Sequence, residues 1–269
     1  MTTLRIAVAG LGAIGWPVVR RLDRGLGGLR LVAVSARDRA KAEAKTAELN
    51  VAVPVLSPGE LAEHADVVVE CLPATVFREI AVPTLEAGKI FVTLSVGALL
   101  DNEDLIELAR RNDAKIHVPT GALSGLDAVR AASYGRIHDV TMVTRKPPRG
   151  LEGAPHLVAR GLDMAAVVAP TLVFKGTARE AAKGFPANVN VAAALALAGI
   201  GPDRTTIEIW ADPTVDRNTH TVDVDADSTR FTMTIEGVPS EENPRTGKLT
   251  PLSVLATLQG MVAPLHVGT

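Results

Sequence analysis

The chain has 269 residues, of which 47% are hydrophobic and 22% are charged, so it can bury one large core or two modest ones. Its formal net charge of −2, without a run of basic residues, argues against nucleic acid as a partner. The sequence contains no uninterrupted stretch of about 18 apolar residues, so no membrane span is predicted. We expect a cytoplasmic protein, because the start does not resemble a signal peptide and a single cysteine excludes an internal disulfide. The six scattered histidines lack metal-binding spacing, so no metal site is expected.

The first half of the chain alternates short apolar runs with helical segments. The runs are mostly β-branched and continuous, which is typical of strands that are buried on both faces of a parallel sheet. They are Leu4–Ala9, Leu31–Val34, Val67–Leu72, Ile90–Val96 and Lys115–Pro119, and helices are predicted over 13–24, 38–49, 75–87 and 101–112. This order predicts an α/β fold whose N-terminal domain, residues 1–120, is a doubly wound parallel Rossmann sheet.

A glycine-rich turn follows the first predicted strand and opens the first predicted helix. Its sequence, Gly10-Leu11-Gly12-Ala13-Ile14-Gly15, matches the dinucleotide fingerprint GxGxxG in the context that the fingerprint requires. The first glycine permits the tight turn, the second admits the pyrophosphate, and the third lets helix and strand pack closely. We therefore predict that Gly10, Gly12, Ala13, Ile14 and Gly15 bind NAD or NADP. The alternative is a glycine-rich turn without a ligand.

The residues after the second strand bear on the choice between NAD and NADP. NAD-specific Rossmann domains usually place an acidic side chain there for the ribose 2′-hydroxyl. Here Ser35 could bond a hydroxyl or a phosphate and Arg37 could pair with a 2′-phosphate, whereas Asp38 comes one or two positions late. We predict that Ser35 and Arg37 contact the cofactor and expect that both NAD and NADP are used. The alternative is that Arg37 and Asp38 form only a solvated turn.

After about residue 120 the strands change to alternating polar and apolar positions. Strands are predicted over Asp139–Arg145, Thr205–Ile209, Thr219–Val224 and Arg230–Glu236, and helices near 125–133, 155–165, 176–183 and 187–199. We expect a second, α+β domain over residues 121–250 that contains a mixed or antiparallel sheet. A final helix within 251–269, begun by Thr250 and Pro251, is expected to pack back on the first domain.

Seven segments of the second half resemble the L-aspartate dehydrogenase family. They are Gly121–Ala128, Thr144–Pro148, Phe174–Ala181, Phe185–Ala193, Ala211–Pro213, Asn218–His220 and Asn243–Lys248. The resemblance implies an NAD(P)-dependent amino-acid dehydrogenase that reversibly deaminates L-aspartate to iminoaspartate, which hydrolyses to oxaloacetate and ammonia. It also implies a homodimer, a second domain that serves substrate binding and dimerisation, and a role in NAD biosynthesis. The sequence departs from the family in its weak acidic signal after the second strand.

The resemblance also implies roles for three residues. His220 is the implied catalytic residue, and a pKa near neutrality would suit it to move a proton during imine formation or hydrolysis. Asn190 is implied to bind the nicotinamide carboxamide, and Ala122 to let the cofactor approach. From the pattern alone, a lone histidine on an apolar face such as His220 is more often a core histidine, and Ala122 could be ordinary packing. Asn190 could be a helix-start residue, a position that Asn188 fits better.

A dicarboxylate substrate needs donors for its two carboxylates. Gly176 and Thr177 open a predicted helix, whose N–H groups and threonine hydroxyl predict a substrate-binding anion site. Lys146 and Lys175 offer positive charge, although most lysines are simply solvated. Two other functions stay open. One is a Rossmann oxidoreductase that acts on another small amino- or semialdehyde-type metabolite, and the other is a non-catalytic NAD(P)-binding sensor.

Overall fold

The computed structural model describes residues 3–186, 189–243 and 246–268, and the chain divides into two compact units. The first unit comprises Met1–Pro119 and Thr250–His266, and the second comprises Thr120–Leu249 and Val267–Thr269. Each unit is built on a five-stranded sheet. Within the described residues, no helix combines the length and the hydropathy that crossing a bilayer requires.

The sheet of the first unit is entirely parallel. Its strands are β1 (Leu4–Ala9), β2 (Leu29–Ser35), β3 (Val67–Glu70), β4 (Ile90–Thr93) and β5 (Lys115–His117), in the order β2-β1-β3-β4-β5. The chain leaves β1 toward β2 on one side and returns to β3 on the other. In open α/β sheets, ligands bind at the carboxyl ends of the strands beside such a reversal. The predicted Rossmann sheet is confirmed.

Short helices connect these strands. They are α1 (Gly15–Asp23), α2 (Arg39–Thr46), α3 (Leu61–His64), α4 (Phe77–Glu86), α5 (Val96–Leu100) and α6 (Asp104–Arg111). The sequence predicts α1, α2, α4 and α6 to within a few residues. It does not predict α3 and α5, which have 4 and 5 residues and are too short to show a helical period. Residues 94–96, predicted as the end of a strand, lead into α5 instead.

The inner strands β1, β3 and β4 of the first unit are mostly apolar because each face of the sheet has its own core. Ile6 and Val8 of β1 pack with residues of α1, whereas Ala7 and Ala9 pack with residues of α3, α4 and α6. Successive side chains of a strand point to opposite faces, so a strand between two cores has no solvated position.

The sheet of the second unit is mixed. Its strands are β6 (Ile137–Lys146), β7 (Thr171–Thr177), β8 (Thr206–Ala211), β9 (Asn218–Ala226) and β10 (Arg230–Gly237), in the order β10-β9-β6-β8-β7. Strands β6 and β8 are parallel, and the other neighbouring pairs are antiparallel. The predicted mixed sheet is confirmed, and β7 is an edge strand that the sequence pattern does not reveal.

Four helices of the second unit and one C-terminal helix complete the fold. They are α7 (Leu126–Ala132), α8 (Pro155–Ala159), α9 (Ala178–Gly184), α10 (Asn190–Ala198) and α11 (Leu249–Gly260). Val254 and Leu258 of α11 are fully buried in the core of the first unit. Thr250 and Pro251 lie inside α11 and are buried, so the predicted first helical residue, Pro251, is two residues late.

Candidate active site

The glycine-rich turn has two glycines that the chain itself requires and one that it does not. Gly10 has φ +103°, and an added Cβ would lie 2.5 Å from the Cys71 carbonyl oxygen. At Gly15 an added Cβ would lie 1.9 Å from the Gly10 carbonyl oxygen. At Gly12 an added Cβ would meet no described atom within 4 Å. Gly12 therefore leaves open space at the position where the fingerprint admits a pyrophosphate.

The start of α1 fits a dinucleotide phosphate. Ala13 and Ile14 lead into the helix, and no side chain caps its first turn, which also contains no acidic residue. The first N–H groups of an α-helix have no partner within the helix, and the positive end of the helix dipole favours an anion there. Together with the space at Gly12, this arrangement fits the pyrophosphate of NAD or NADP.

The end of β2 carries a buried hydroxyl and no free acid. Ser35 is fully buried, its carbonyl oxygen accepts the Gly10 N–H at 2.7 Å, and its Oγ has no hydrogen-bond partner among the described residues. Arg37 is exposed. The Asp38 carboxylate accepts the Lys41 N–H at 3.0 Å and caps α2. Asp38 therefore acts as a helix cap, and the strand end offers no acid placed for a ribose 2′-hydroxyl.

A buried carboxylate at the same edge of the sheet was missed by sequence reasoning. Glu70 ends β3 and accepts hydrogen bonds from the Leu72 N–H at 2.9 Å, the Thr93 hydroxyl at 2.9 Å and the Ser95 hydroxyl at 3.0 Å. Burial raises the pKa of Glu70 against these hydrogen bonds. The carboxylate thus ties together the loops that follow β3 and β4. Its signal was a charged residue at the end of an otherwise apolar buried strand.

His220 lies on β9 inside the second unit. Its Cα partner on β6 is Thr144, and the Thr144 hydroxyl is hydrogen-bonded to His220 Nδ1 at 3.0 Å. On the other side of β9 the partner of His220 is Ile235 of β10. The histidine is 3% exposed. The sheet therefore fixes the ring through one nitrogen in a largely apolar setting.

The imidazole of His220 is neutral in this setting. Burial, together with a smaller contribution from the nearby ammonium of Lys146, lowers the pKa of His220 from its ordinary value of 6.5 to about 3. The expectation of a pKa near neutrality is therefore wrong for the protein without substrate. A neutral imidazole can still accept a proton, and an anionic substrate beside it would raise its pKa.

The low pKa of His220 predicts that this residue makes the protein acid-sensitive. Between pH 6.5 and about 3 the unfolded chain binds a proton at His220 and the folded chain does not. Stability is therefore lost as the pH falls through this interval, by roughly 1.4 kcal/mol per pH unit from this group. The free energy of unfolding is measured with denaturant at pH about 7 and at pH about 4.5. Between these two pH values it should fall by at least about 2 kcal/mol less for His220→Gln than for the wild type. Equal losses would contradict the buried, neutral histidine.

The two lysines proposed as sources of positive charge lie on different faces of the second sheet. The face with buried Thr144, Lys146 and His220 is called the His220 face. Lys175 lies opposite Glu208 on the other face, where their ion pair measures 2.9 Å and Lys175 is 61% exposed. Lys146 therefore shares a face with His220, and Lys175 does not.

The predicted cofactor contacts Ala122 and Asn190 belong to the second unit. Ala122 lies in the turn before α7. A Cβ added at Gly247 would lie 3.9 Å from the Cβ of Ala122. Asn190 is the first residue of α10 and is exposed. Asn188, the better fit for a helix-start asparagine, lies outside the described residues. The roles of Ala122 and Asn190 toward the cofactor stay predictions.

Gly176 and Thr177 end β7 and do not open a helix with free donors. The Thr177 N–H donates to Glu180 Oε2 at 2.8 Å, and the Thr177 hydroxyl accepts the Glu180 N–H at 3.2 Å. This capping box already brings a carboxylate to the start of α9. An added Cβ at Gly176 would lie 2.6 Å from the same carboxylate. A substrate carboxylate would therefore have to displace Glu180, which disfavours the predicted anion site.

Comparison with known proteins agrees with both halves of the chain. The family model for the aspartate dehydrogenase C-terminal region matches residues 127–261, and that for the homoserine dehydrogenase NAD-binding domain matches residues 10–119.

Across the described residues, no group of three or more His, Cys, Asp or Glu side chains is placed to hold a metal ion.

Full-length relatives are similar over nearly the whole chain. The L-aspartate dehydrogenase of Bradyrhizobium diazoefficiens is 56% identical over 266 residues, which cover 99% of this chain and 94% of that protein. The L-aspartate dehydrogenase of Methanosarcina barkeri is 41% identical, with 99% and 100% covered. The crystal structure of aspartate dehydrogenase from Thermotoga maritima has a TM-score of 0.74 at 25% identity, with 98% and 99% covered. The chain belongs to the L-aspartate dehydrogenase family.

Proposed function

We propose that the chain is an NAD(P)-dependent L-aspartate dehydrogenase, which converts L-aspartate, water and the oxidised cofactor reversibly into oxaloacetate, ammonia and the reduced cofactor. The observation that carries this proposal is His220, buried on a sheet face and held by Thr144 at 3.0 Å, in a chain that is 56% identical to a protein of that name. A buried imidazole held through one nitrogen suits proton transfer through the other.

The glycine-rich turn would hold the dinucleotide. When bound, the nicotinamide accepts the hydride that leaves the substrate Cα. Gly12 and the N–H groups at the start of α1 would bind the pyrophosphate. Ser35 ends β2 and Arg37 follows it, at the strand end that binds the adenosine ribose in this fold. Because Arg37 is exposed there and the Asp38 carboxylate caps α2, use of NADP as well as NAD is part of the proposal.

The chemistry assigned to His220 is proton transfer between the attacking water and the substrate nitrogen. Loss of the hydride and of an amine proton converts L-aspartate into iminoaspartate. Water then adds to the imine carbon, the C–N bond breaks, and ammonia leaves with oxaloacetate as the other product. Thr144 holds Nδ1, so Nε2 would take the proton from the attacking water and return it to the leaving nitrogen.

Steady-state reduction of NAD and of NADP by L-aspartate at alkaline pH tests the proposed function. Absorbance of the reduced cofactor should rise only when L-aspartate is present. Cofactor binding without turnover of any amino or keto acid would instead favour an NAD(P)-binding sensor. Turnover of another amino acid or a semialdehyde, with none of L-aspartate, would favour an oxidoreductase with a different substrate.

We further propose that the protein is a cytoplasmic homodimer whose iminoaspartate feeds NAD biosynthesis. The resemblance to the family supports both parts of this proposal. Light scattering after size exclusion should give twice the mass of the 28.1 kDa chain. A single-chain mass would contradict the dimer.

A further inference from the structure

Lys45 is a lysine of the first unit whose side chain reaches the glycine-rich turn. It lies in the last turn of α2 and is half-buried. Its Nζ donates to the Leu11 carbonyl oxygen at 3.0 Å and lies 4.6 Å from the centre of the Trp16 ring. Leu11 is the second residue of the fingerprint, and Trp16 is the first residue after it. Lys45 therefore contacts the chain on both sides of Gly12.

The two helices that bring these groups together are themselves fixed. Asp38 caps α2, and Ala42 on the same helix is buried in the same core as Trp16. The Trp16 N–H donates to the Gly12 carbonyl oxygen at 3.0 Å, and the residue is 7% exposed. A cation is attracted to the face of an indole ring, and more strongly where the ring is shielded from water. Trp16 therefore holds the ammonium of Lys45 within reach of the turn.

The outer glycines of the turn are anchored by the chain. The Gly10 N–H donates to the Ser35 carbonyl oxygen at 2.7 Å, and Gly15 approaches the Gly10 carbonyl so closely that a side chain would not fit. Gly12 lies between them, is exposed and has open space where a Cβ would lie. Glycine tolerates more backbone conformations than other residues, so steric limits alone do not fix the peptide unit before it. The bond from Lys45 supplies a restraint at this point.

Holding the Leu11 carbonyl also sets the direction of the next N–H group. The Leu11 carbonyl and the Gly12 N–H belong to one planar trans peptide unit, in which the C=O and N–H bonds point in opposite directions. Lys45 holds the carbonyl toward α2. The Gly12 N–H is therefore directed away from Lys45.

We propose that Lys45 is a positioning residue, which holds the peptide between Leu11 and Gly12 so that the Gly12 N–H is presented to the dinucleotide pyrophosphate. This inference rests on the proposed binding of the dinucleotide at the glycine-rich turn. A donor that is oriented in advance binds its acceptor with a smaller loss of conformational freedom. Because NAD and NADP share the pyrophosphate, Lys45 acts on both cofactors equally.

The test compares Lys45→Met and Lys45→Arg with a matched control, Lys41→Met. Lys41 lies four residues earlier on α2 and is exposed, so the control removes the same charge from the same helix. Fluorescence titration gives the dissociation constants for NADH and NADPH, and thermal melting of the apo proteins reports their folding. NMR relaxation dispersion of the apo proteins reports whether the Gly12 amide exchanges between orientations.

We expect Lys45→Met to raise the dissociation constants for NADH and NADPH by the same factor of about ten, the size of one lost hydrogen bond. The Gly12 amide should show exchange in this variant and not in the wild type. Lys45→Arg, which can still donate to a carbonyl, should keep most of the affinity, and Lys41→Met should match the wild type. In turnover, Lys45→Met should raise the KM for the cofactor and leave kcat unchanged.

Four outcomes would overturn the inference. They are unchanged affinity in folded Lys45→Met, a loss confined to NADPH, an equal loss in Lys41→Met, and a loss of affinity without exchange of the Gly12 amide. The second would assign Lys45 to the 2′-phosphate, the third to the overall charge of α2, and the fourth to a direct contact with phosphate. If Lys45→Met does not fold, Lys45→Gln, whose side chain is one atom shorter, takes its place under the same criteria.

Failure of the proposed cofactor site gives a different result. In that case Gly12→Val would keep its affinity for both cofactors as well. Loss of binding in Gly12→Val with normal binding in Lys45→Met would leave the site standing and overturn only the role of Lys45. None of these measurements of binding requires turnover of L-aspartate.

Discussion

Replacing His220 with alanine is expected to lower the steady-state rate of aspartate-dependent cofactor reduction by about 10²-fold or more, as is typical when a general acid–base group is lost. The imidazole is neutral and buried, and Thr144 holds it through Nδ1 at 3.0 Å. An alanine leaves no group at this point of the sheet that can take a proton from the attacking water. The fall should be in kcat, measured by steady-state reduction of NAD and NADP.

Two companion variants separate chemistry from folding. His220→Gln keeps a polar side chain of similar size in the buried position, so it should melt close to the wild type while losing activity. Thr144→Val keeps the shape of its side chain but removes the hydroxyl that bonds to Nδ1. The Thr144→Val variant should have a kcat about tenfold lower than the wild type, consistent with the loss of one neutral hydrogen bond. A His220→Ala protein that oxidises L-aspartate at the wild-type rate would contradict the assignment of His220.

The Rossmann half could be predicted from the sequence because its strands lie between two cores. A strand buried on both faces is a continuous apolar run, as Val67–Glu70 shows, and a run this short and β-branched favours a buried strand over a helix. The glycine-rich turn then follows from its place between a strand and a helix. Glu70 escaped prediction because Thr93 and Ser95, whose hydroxyls hold its carboxylate, lie 23 and 25 residues further along the chain. Contacts between residues so far apart in the chain leave no local sequence pattern.

The second half was harder because its local signals have two readings. The sequence predicts that Gly176 and Thr177 start a helix, but they end β7, and the threonine caps the helix that follows. A capping box marks where a helix begins without showing that a strand precedes it directly. The pKa of His220 could not be predicted from the sequence for a related reason: it depends on burial and on Lys146, which only the tertiary structure brings near.

Pairing the lysines with faces of the sheet also needed the structure. In the sequence, Lys146 and Lys175 are equivalent candidates for the positive charge that a dicarboxylate substrate needs. Strand register places one beside His220 and the other against Glu208. A register shift of one residue in either strand would move its lysine to the other face of the sheet. The sequence therefore could not show which lysine lies beside His220.

Replacing Gly12 with valine is expected to raise the dissociation constants for NADH and NADPH by about 100-fold or more, roughly 3 kcal/mol. An added Cβ at Gly12 meets no described atom within 4 Å, so the fold itself has room for the larger side chain. The lost affinity would therefore come from the space that the pyrophosphate needs. Fluorescence titration measures it, and the apo variant should melt like the wild type without the stabilisation that cofactor gives the wild type.

The control for this prediction is Gly27→Val, at an exposed glycine of the same unit that is equally free of close atoms. It should bind both cofactors like the wild type. Gly15→Ala provides the contrast, because its Cβ would lie 1.9 Å from the Gly10 carbonyl oxygen and must distort the turn. That variant should lose stability together with binding. If Gly12→Val binds both cofactors normally while Gly15→Ala is destabilised, the glycine-rich turn serves only the close approach of β1 and α1 through Gly10 and Gly15. The dinucleotide would then have to bind elsewhere, because space at Gly12 is the feature of the turn that the fold does not need for itself.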